Sequence, residues 1–181
     1  MRISRDLMFM MMAEAAARRS TCRRLNVGAI LTYQNNVVSI GYNGPPPGEP
    51  HCYGGDCGVP MCTRSIHAEF NAIVRAADAG FENFALSTLY VTNSPCESCF
   101  NVIRAYRIPR VVFRDEYRIH QHLKDITHGV QIEKITPSGY RTDFVTGQFV
   151  GGPEGSQEGD GRRDLPVGTG SCRCDDCGAA L

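Results

Sequence analysis

The sequence predicts an α/β fold, a sandwich of helices over a mixed sheet of five strands. Three observations carry that prediction. Residues 3–19 are apolar at helical spacing, residues 27–42 hold two β-branched runs around a short polar turn, and from residue 66 onward helical and strand-like segments alternate. Helices alternating with strands pack on the faces of a sheet, and the hairpin contributes an antiparallel pair to it.

The first helix spans residues 3–19, with Ser4 as N-cap. Leu7, Met11 and Ala15 recur every four residues, and Met8 and Met12 widen that apolar face; the Met cluster is core filler. Val27–Tyr33 and Val37–Tyr42 are strands joined by Gln34-Asn35-Asn36. Residues 43–65 form a long loop rich in Gly, Pro and Cys, and such loops are functional or held by a metal. Residues 66–78 form the second helix, stopped by Gly80. A strand follows from Leu86 to Thr92. Ser94-Pro95-Cys96-Glu97 then starts a third helix, with Ser94 as N-cap, Pro95 at the first position and Glu97 three residues after the cap. That helix runs to about Tyr106. Arg110–Phe113 is a short buried strand, residues 117–127 a short helix and Gly129–Ile135 the fifth strand, with Tyr140–Val145 a candidate for one more. The chain thus divides into a domain at 1–146, a Gly/Glu/Pro-rich linker at 147–170 and a Cys-rich tail at 171–181.

Composition excludes several classes. Lys+Arg and Asp+Glu are both 19, so the formal net charge is zero, against binding of nucleic acid by a basic surface. Residues 1–24 nevertheless carry six Arg against Asp6 and Glu14, mostly a solvated helix face with Arg23 and Arg24 candidates for a phosphate. No run approaches the roughly 20 apolar residues of a membrane span, and Asp6 and Glu14 break any signal-peptide pattern, so a cytoplasmic protein is expected. Nine Cys in a reducing compartment point to metal or catalysis rather than disulfides.

Two stretches concentrate that chemistry, His67-Ala68-Glu69 and Pro95-Cys96-Glu97-Ser98-Cys99. Cys96 and Cys99, three apart on one helix, face the same way, and the helix N-terminus favours thiolate. His67 at the start of the preceding helix supplies a third ligand. One imidazole and two thiolates with a position left open describe a catalytic Zn2+ site. Glu69 is about 200° around a helix from His67, badly placed to ligate but able to reach past the helix end. A carboxylate there suits a proton shuttle to a ring nitrogen and a leaving amine. A lone CxxC is equally a redox or structural motif; HxE followed by PCxxC is the known signature of zinc deaminases.

With these residues in view, the chain resembles the cytidine/deoxycytidylate deaminase superfamily, and within it the deoxycytidylate (dCMP) deaminases. Ser20-Thr21-Cys22-Arg23-Arg24, Val27-Gly28-Ala29, Gly41-Tyr42-Asn43-Gly44-Pro45-Pro46-Pro47-Gly48, His67–Ile73 and Leu89–Thr92 leading into Pro95-Cys96 carry the match over about residues 1–135. The resemblance implies a three-layer α/β/α cytidine deaminase-like sandwich. It implies that His67, Cys96 and Cys99 hold catalytic zinc, that Glu69 shuttles protons and that Asn43 contacts substrate; Arg23 is a candidate for the phosphate from the charge pattern alone. It further implies a homo-oligomer, a hexamer in relatives, activated by dCTP and inhibited by dTTP. The effector loop would comprise Gly41, Tyr42, Asn43, Gly44, Pro46 and Gly48, with Mg2+ accompanying a triphosphate effector. Some relatives hold a second, structural Zn2+ on Cys matching Cys22 and Cys52, and Cys57 and Cys62 offer two more thiolates for it. Phe70 and Phe100 depart from the usual pattern, leaving the pocket wall and any 5-substituent on the base open. Cys172, Cys174 and Cys177 resemble half a zinc ribbon without a fourth ligand and read as an unstructured tail, the alternative being a small zinc knuckle completed by a partner chain.

The expected activity is therefore zinc-dependent hydrolysis of dCMP to dUMP. Competing readings are a deaminase of dCTP or 5-modified dCMP, a tRNA or nucleic-acid deaminase, and a non-catalytic zinc module. Neutral charge and the GYNGPPPG loop count against nucleic acid, and an intact Glu69 against a purely structural site.

Overall fold

The structure, a computed structural model, describes residues 2–52, 62, 64–117 and 129–153. The first helix, α1 (Arg5–Ala17), is capped by Ser4, whose hydroxyl accepts from Leu7 N at 3.2 Å. It is followed by β1 (Gly28–Tyr33) and β2 (Asn36–Tyr42). Gln34 and Asn35 alone form the turn, with φ of 49° and 62°, so Asn36 belongs to the strand. Two successive left-handed residues match the twist of the hairpin.

Next come α2 (Ala68–Asp78), β3 (Ser87–Asn93), α3 (Glu97–Ala105), β4 (Arg110–Asp115) and β5 (Gln131–Ile135). Gly80, at φ 80°, ends α2 by donating its N–H to Ala77 O. Two further strands, β6 (Arg141–Asp143) and β7 (Phe149–Gly151), complete the sheet.

Among the described residues the sheet therefore has seven strands rather than five, in the order β2-β1-β3-β4-β5-β6-β7. The pairs β3–β4 and β4–β5 are parallel and the rest antiparallel, giving the expected mixed sheet. The strand β7 lies inside the stretch expected to be linker, where composition hid a three-residue pairing with β6. The expected helix at 117–127 falls largely outside the described residues, as do 154–170 and the Cys-rich tail.

Alternation along the strands sorts side chains into two cores. Ala29, Leu31, Leu89, Val91, Val111 and Phe113 face α2 and α3, meeting Ala72, Ile73, Phe100 and Ile103. Ile30, Tyr90, Val112 and Ile135 face α1, meeting Phe9, Met10, Ala13 and Ala16. Helices on both faces make this the three-layer α/β/α sandwich. Met10 is buried while Met8 and Met11 are exposed, so only part of the Met cluster fills core. No helix of the described residues is long and apolar enough to cross a membrane.

Both helices that meet the hairpin do so at a glycine. A Cβ on Gly28 would lie 2.0 Å from Ala13 O, and one on Gly41 2.1 Å from Ala68 O. The absent side chains let α1 and α2 rest their backbones on β1 and β2. Ser39 and Asn71 tighten the second contact, donating to Ala72 O at 2.5 Å and Tyr42 O at 2.8 Å.

Candidate active site

His67 does not lie within α2 but caps it, extended at φ −76° and ψ 154°. Cys96 likewise caps α3, at φ −74° and ψ 168°, and Cys99 follows in the first turn. Ser94 and Pro95 therefore precede the helix, correcting the expected start by two residues. The Ser94 hydroxyl serves a different contact: it accepts from Tyr117 N at 2.8 Å and donates to Tyr117 O at 3.2 Å.

Antiparallel pairing of β1 with both β2 and β3 sets the ends of β2 and β3, and the helix starts that follow them, at the same end of the sheet. There His67 Nδ1 lies 3.2 Å from Cys99 Sγ and 3.4 Å from Cys96 Sγ. Within the described residues these three side chains are the one His/Cys/Asp/Glu group whose ligand atoms all fall within 4.8 Å of one another. A tetrahedral ion bonded at ~2.0–2.1 Å to nitrogen and ~2.3 Å to sulfur separates them by ~3.5 Å, so the group fits Zn2+ in both donor type and spacing.

The ionisable groups of this cluster are coupled to one another. The Cys96 thiol is held down at about 4, chiefly by hydrogen bonding with Cys99 and then with His67. Cys99 is pushed above the usual thiol range by the same pairing with Cys96 and by burial. His67 is raised by its bond to Cys96. Glu69, in the first turn of α2, is 4% exposed, and burial pushes its carboxyl up to about 7. It is packed against the ligand group, within hydrogen-bonding reach of Cys99.

The loop after β2 is tied to this centre. Gly44 and Ile66 exchange both backbone hydrogen bonds, at 3.1 and 2.8 Å, fixing the residue before His67. Asn43 is buried and both ends of its amide are engaged: Oδ1 accepts from Val27 N and Nδ2 donates to Leu25 O, each at 2.8 Å. Arg23 is exposed and makes no hydrogen bond among the described residues. Tyr42 lies under the Arg75 guanidinium, 5.2 Å from its ring centre. Pro46 O accepts from Glu49 N, and Gly48 takes φ 87° with open space around it. Gly41 is a correction: the room left by its missing Cβ is filled by α2 and offers no approach to a nucleotide. Phe100, 1% exposed, is likewise core rather than pocket wall, while Phe70 is 41% exposed.

Cys22, Cys52 and Cys62 are free and partly buried, and they form no such ligand group among the described residues; Cys57 lies outside those residues. Sequence reasoning missed the Ser94–Tyr117 link, because a Ser before Pro-Cys reads locally as a cap. It also missed a cluster of Asp6, Tyr90, Arg110, Glu133 and Arg141 on the other face of the sheet, whose members are far apart in the chain.

Known proteins share this arrangement. The sequence model of the cytidine and deoxycytidylate deaminase zinc-binding region matches residues 3–115. The chain is 34% identical over 138 residues to ComE operon protein 2 of Bacillus subtilis, covering 74% of this chain and 72% of that protein. It is 36% identical over 127 residues to the deoxycytidylate deaminase of Mycobacterium phage D29, covering 61% of this chain and 94% of that protein. It is 34% identical over 150 residues to the deoxycytidylate deaminase of Schizosaccharomyces pombe, of which it spans 45%. The crystal structure of dCMP deaminase from cyanophage S-TIM5 with dCMP and dUMP superposes with a TM-score of 0.62 at 32% identity, covering 71% of this chain and 94% of that one. By sequence, fold and the zinc-binding region at its centre, the chain belongs to the cytidine and deoxycytidylate deaminase family.

Proposed function

We propose that this protein is a zinc-dependent enzyme that hydrolyses dCMP to dUMP and ammonia, with His67, Cys96 and Cys99 holding the ion. The observation that carries this reading is Glu69, a buried carboxyl pushed up to about 7 beside three zinc-type ligands. The dCMP deaminases among its relatives supply the substrate class.

Zinc bound by these side chains supplies Lewis acidity and activates water near neutral pH. Glu69 takes a proton from the attacking water and delivers it to the ring nitrogen beside the reacting carbon. It then passes the water's second proton to the amine, which leaves as ammonia while the carbonyl forms. A group poised near neutrality performs both transfers with little cost in either direction. Burial keeps bulk water from short-circuiting them.

Asn43 and Arg23 are the proposed contacts to the nucleotide's sugar and phosphate; Arg23 is exposed and unengaged among the described residues, and Asn43 retains one N–H and one lone pair beyond its backbone bonds. Regulation by dCTP and dTTP, with Mg2+ on the triphosphate, is assigned to the loop of Tyr42, Gly44, Pro46 and Gly48, which is tied to His67 through Ile66. Assembly as a homo-oligomer, a cytoplasmic location and a second zinc on Cys22, Cys52, Cys57 and Cys62 complete the proposal. So does a domain organisation in which the catalytic domain reaches β7 and is followed by linker and tail.

The test is a substrate panel with zinc-loaded protein: cytidine, deoxycytidine, dCMP, 5-methyl-dCMP and dCTP, each with and without dCTP or dTTP as effector. dCMP should have the highest kcat/KM by at least about tenfold. A nucleoside or triphosphate turned over faster than dCMP would overturn the substrate assignment.

A further inference from the structure

On the α1 face of the sheet, at the end away from the metal-ligand group, lies a cavity of about 310 Å³. Arg5, Asp6, Thr88, Tyr90, Arg110 and Arg141 dominate its lining, with the turn residues Gln34 and Asn35 at one side. We infer that this cavity is a binding site for a small phosphate monoester.

Two of its three cationic groups, Arg110 and Arg141, are fixed before any ligand arrives. Arg110 engages both carboxylate oxygens of Glu133, through Nε at 2.8 Å and Nη2 at 2.9 Å, and Asp6 through Nη1 at 2.9 Å. Arg141 donates to the same buried Glu133 at 2.8 Å and places Nε 3.2 Å from Asp6. The Tyr90 hydroxyl donates to Asp6 and accepts from Arg110 at 3.2 Å. Side chains locked in this way lose little freedom on binding.

The cluster is not balanced. Three guanidinium groups (Arg5, Arg110, Arg141) face two carboxylates (Asp6, Glu133), leaving an excess of one positive charge. Arg5 makes no ion pair or hydrogen bond among the described residues, and Nη2 of Arg141 has no partner there. Guanidinium forks suit phosphate oxygens, and a positive excess this small suits one phosphate group rather than a polyphosphate. The cavity is much larger than a phosphate alone and falls within the range of small-molecule sites. The Thr88 hydroxyl and the amides of Gln34 and Asn35, unpartnered among the described residues apart from the backbone of that turn, suit a hydroxylated body on the ester.

The site is distinct from the deaminase centre. Thr88 pairs with Arg110 at the start of the parallel strands β3 and β4, whereas Cys96 follows the end of β3. From Thr88 the remaining strand residues, Leu89 to Asn93, carry β3 ~17 Å toward the metal-ligand end before Ser94 and Pro95 lead into Cys96.

Isothermal titration of the zinc-loaded full chain with ribose 5-phosphate, against ribose as control, tests the assignment. The expected result is a saturable site for the phosphate, none for ribose, and affinity weakened about tenfold or more by Arg5→Gln. Among the described residues the Arg5 side chain holds nothing else, so this variant should melt like the wild type. Absence of saturable phosphate binding, equal binding of ribose, or unchanged affinity in Arg5→Gln would overturn it.

Discussion

Gly41 and Ala68 are in backbone contact: a Cβ on Gly41 would sit 2.1 Å from Ala68 O and 2.6 Å from Ala72 N. Ala68 is flanked by the proposed ligand His67 and the proposed shuttle Glu69, so the strand edge sets where both stand. Gly41→Ala must push α2 off β2. It should cost about 1–3 kcal/mol, the usual range for an overpacked contact, and lower deamination along with stability. Urea denaturation followed beside activity checks this; an unchanged midpoint would mean that α2 shifts freely.

Glu69→Gln keeps the shape of the buried side chain and removes its capacity to carry protons. Zinc content, measured by atomic absorption, should stay at the wild-type level, because the ligand group lies on His67, Cys96 and Cys99. Turnover should fall by about 10²–10⁴, the range of general acid–base contributions. Retained turnover would remove Glu69 from the mechanism.

These two residues also mark how far the sequence could be read. His67, Glu69, Cys96 and Cys99 were legible because their chemistry is carried by short local patterns, and the helices and first five strands by their periodicity. Gly41 was read as an approach for a ligand, since a glycine in sequence does not say which neighbour needs the room. The strand β7 was missed because three residues in a Gly-rich stretch have no period to detect, and pairing with β6 alone makes them a strand. Asp6 and Arg110 are separated by 104 residues, and only the folded sheet joins them.

That pair gives a pH prediction. Burial alone would raise the Asp6 carboxyl, but Arg110 outweighs it, with Tyr90 and Arg141 adding, and the result lies below the ordinary 3.8. A carboxyl lowered in the folded state contributes stability that is fully present above its unfolded value and is lost as pH falls through the folded one. The melting temperature should therefore decline below about pH 4, and Asp6→Asn should flatten that decline. At pH 7 the same variant should be less stable by about 1–3 kcal/mol, having lost hydrogen bonds to a charged partner. Parallel acid limbs for the two proteins would exclude Asp6 as a contributor.

Ser94 joins the strand that leads to Cys96 with the segment that leaves β4. Its hydroxyl satisfies both the N–H and the C=O of Tyr117, and Ser94 N itself donates to Asp115 O at 2.8 Å. In Ser94→Ala the backbone bond to Asp115 survives, but the Tyr117 N–H loses its acceptor. The cost should be about 1–3 kcal/mol if water does not replace the hydroxyl. Because Cys96 is two residues from Ser94, the freed segment should also loosen the ligand group, giving faster zinc loss to a chelator. Hydrogen exchange at the Tyr117 amide, followed with the rate of zinc release, tests both effects together. Faster exchange without faster release would confine the role of Ser94 to the β4 exit and detach it from the metal centre.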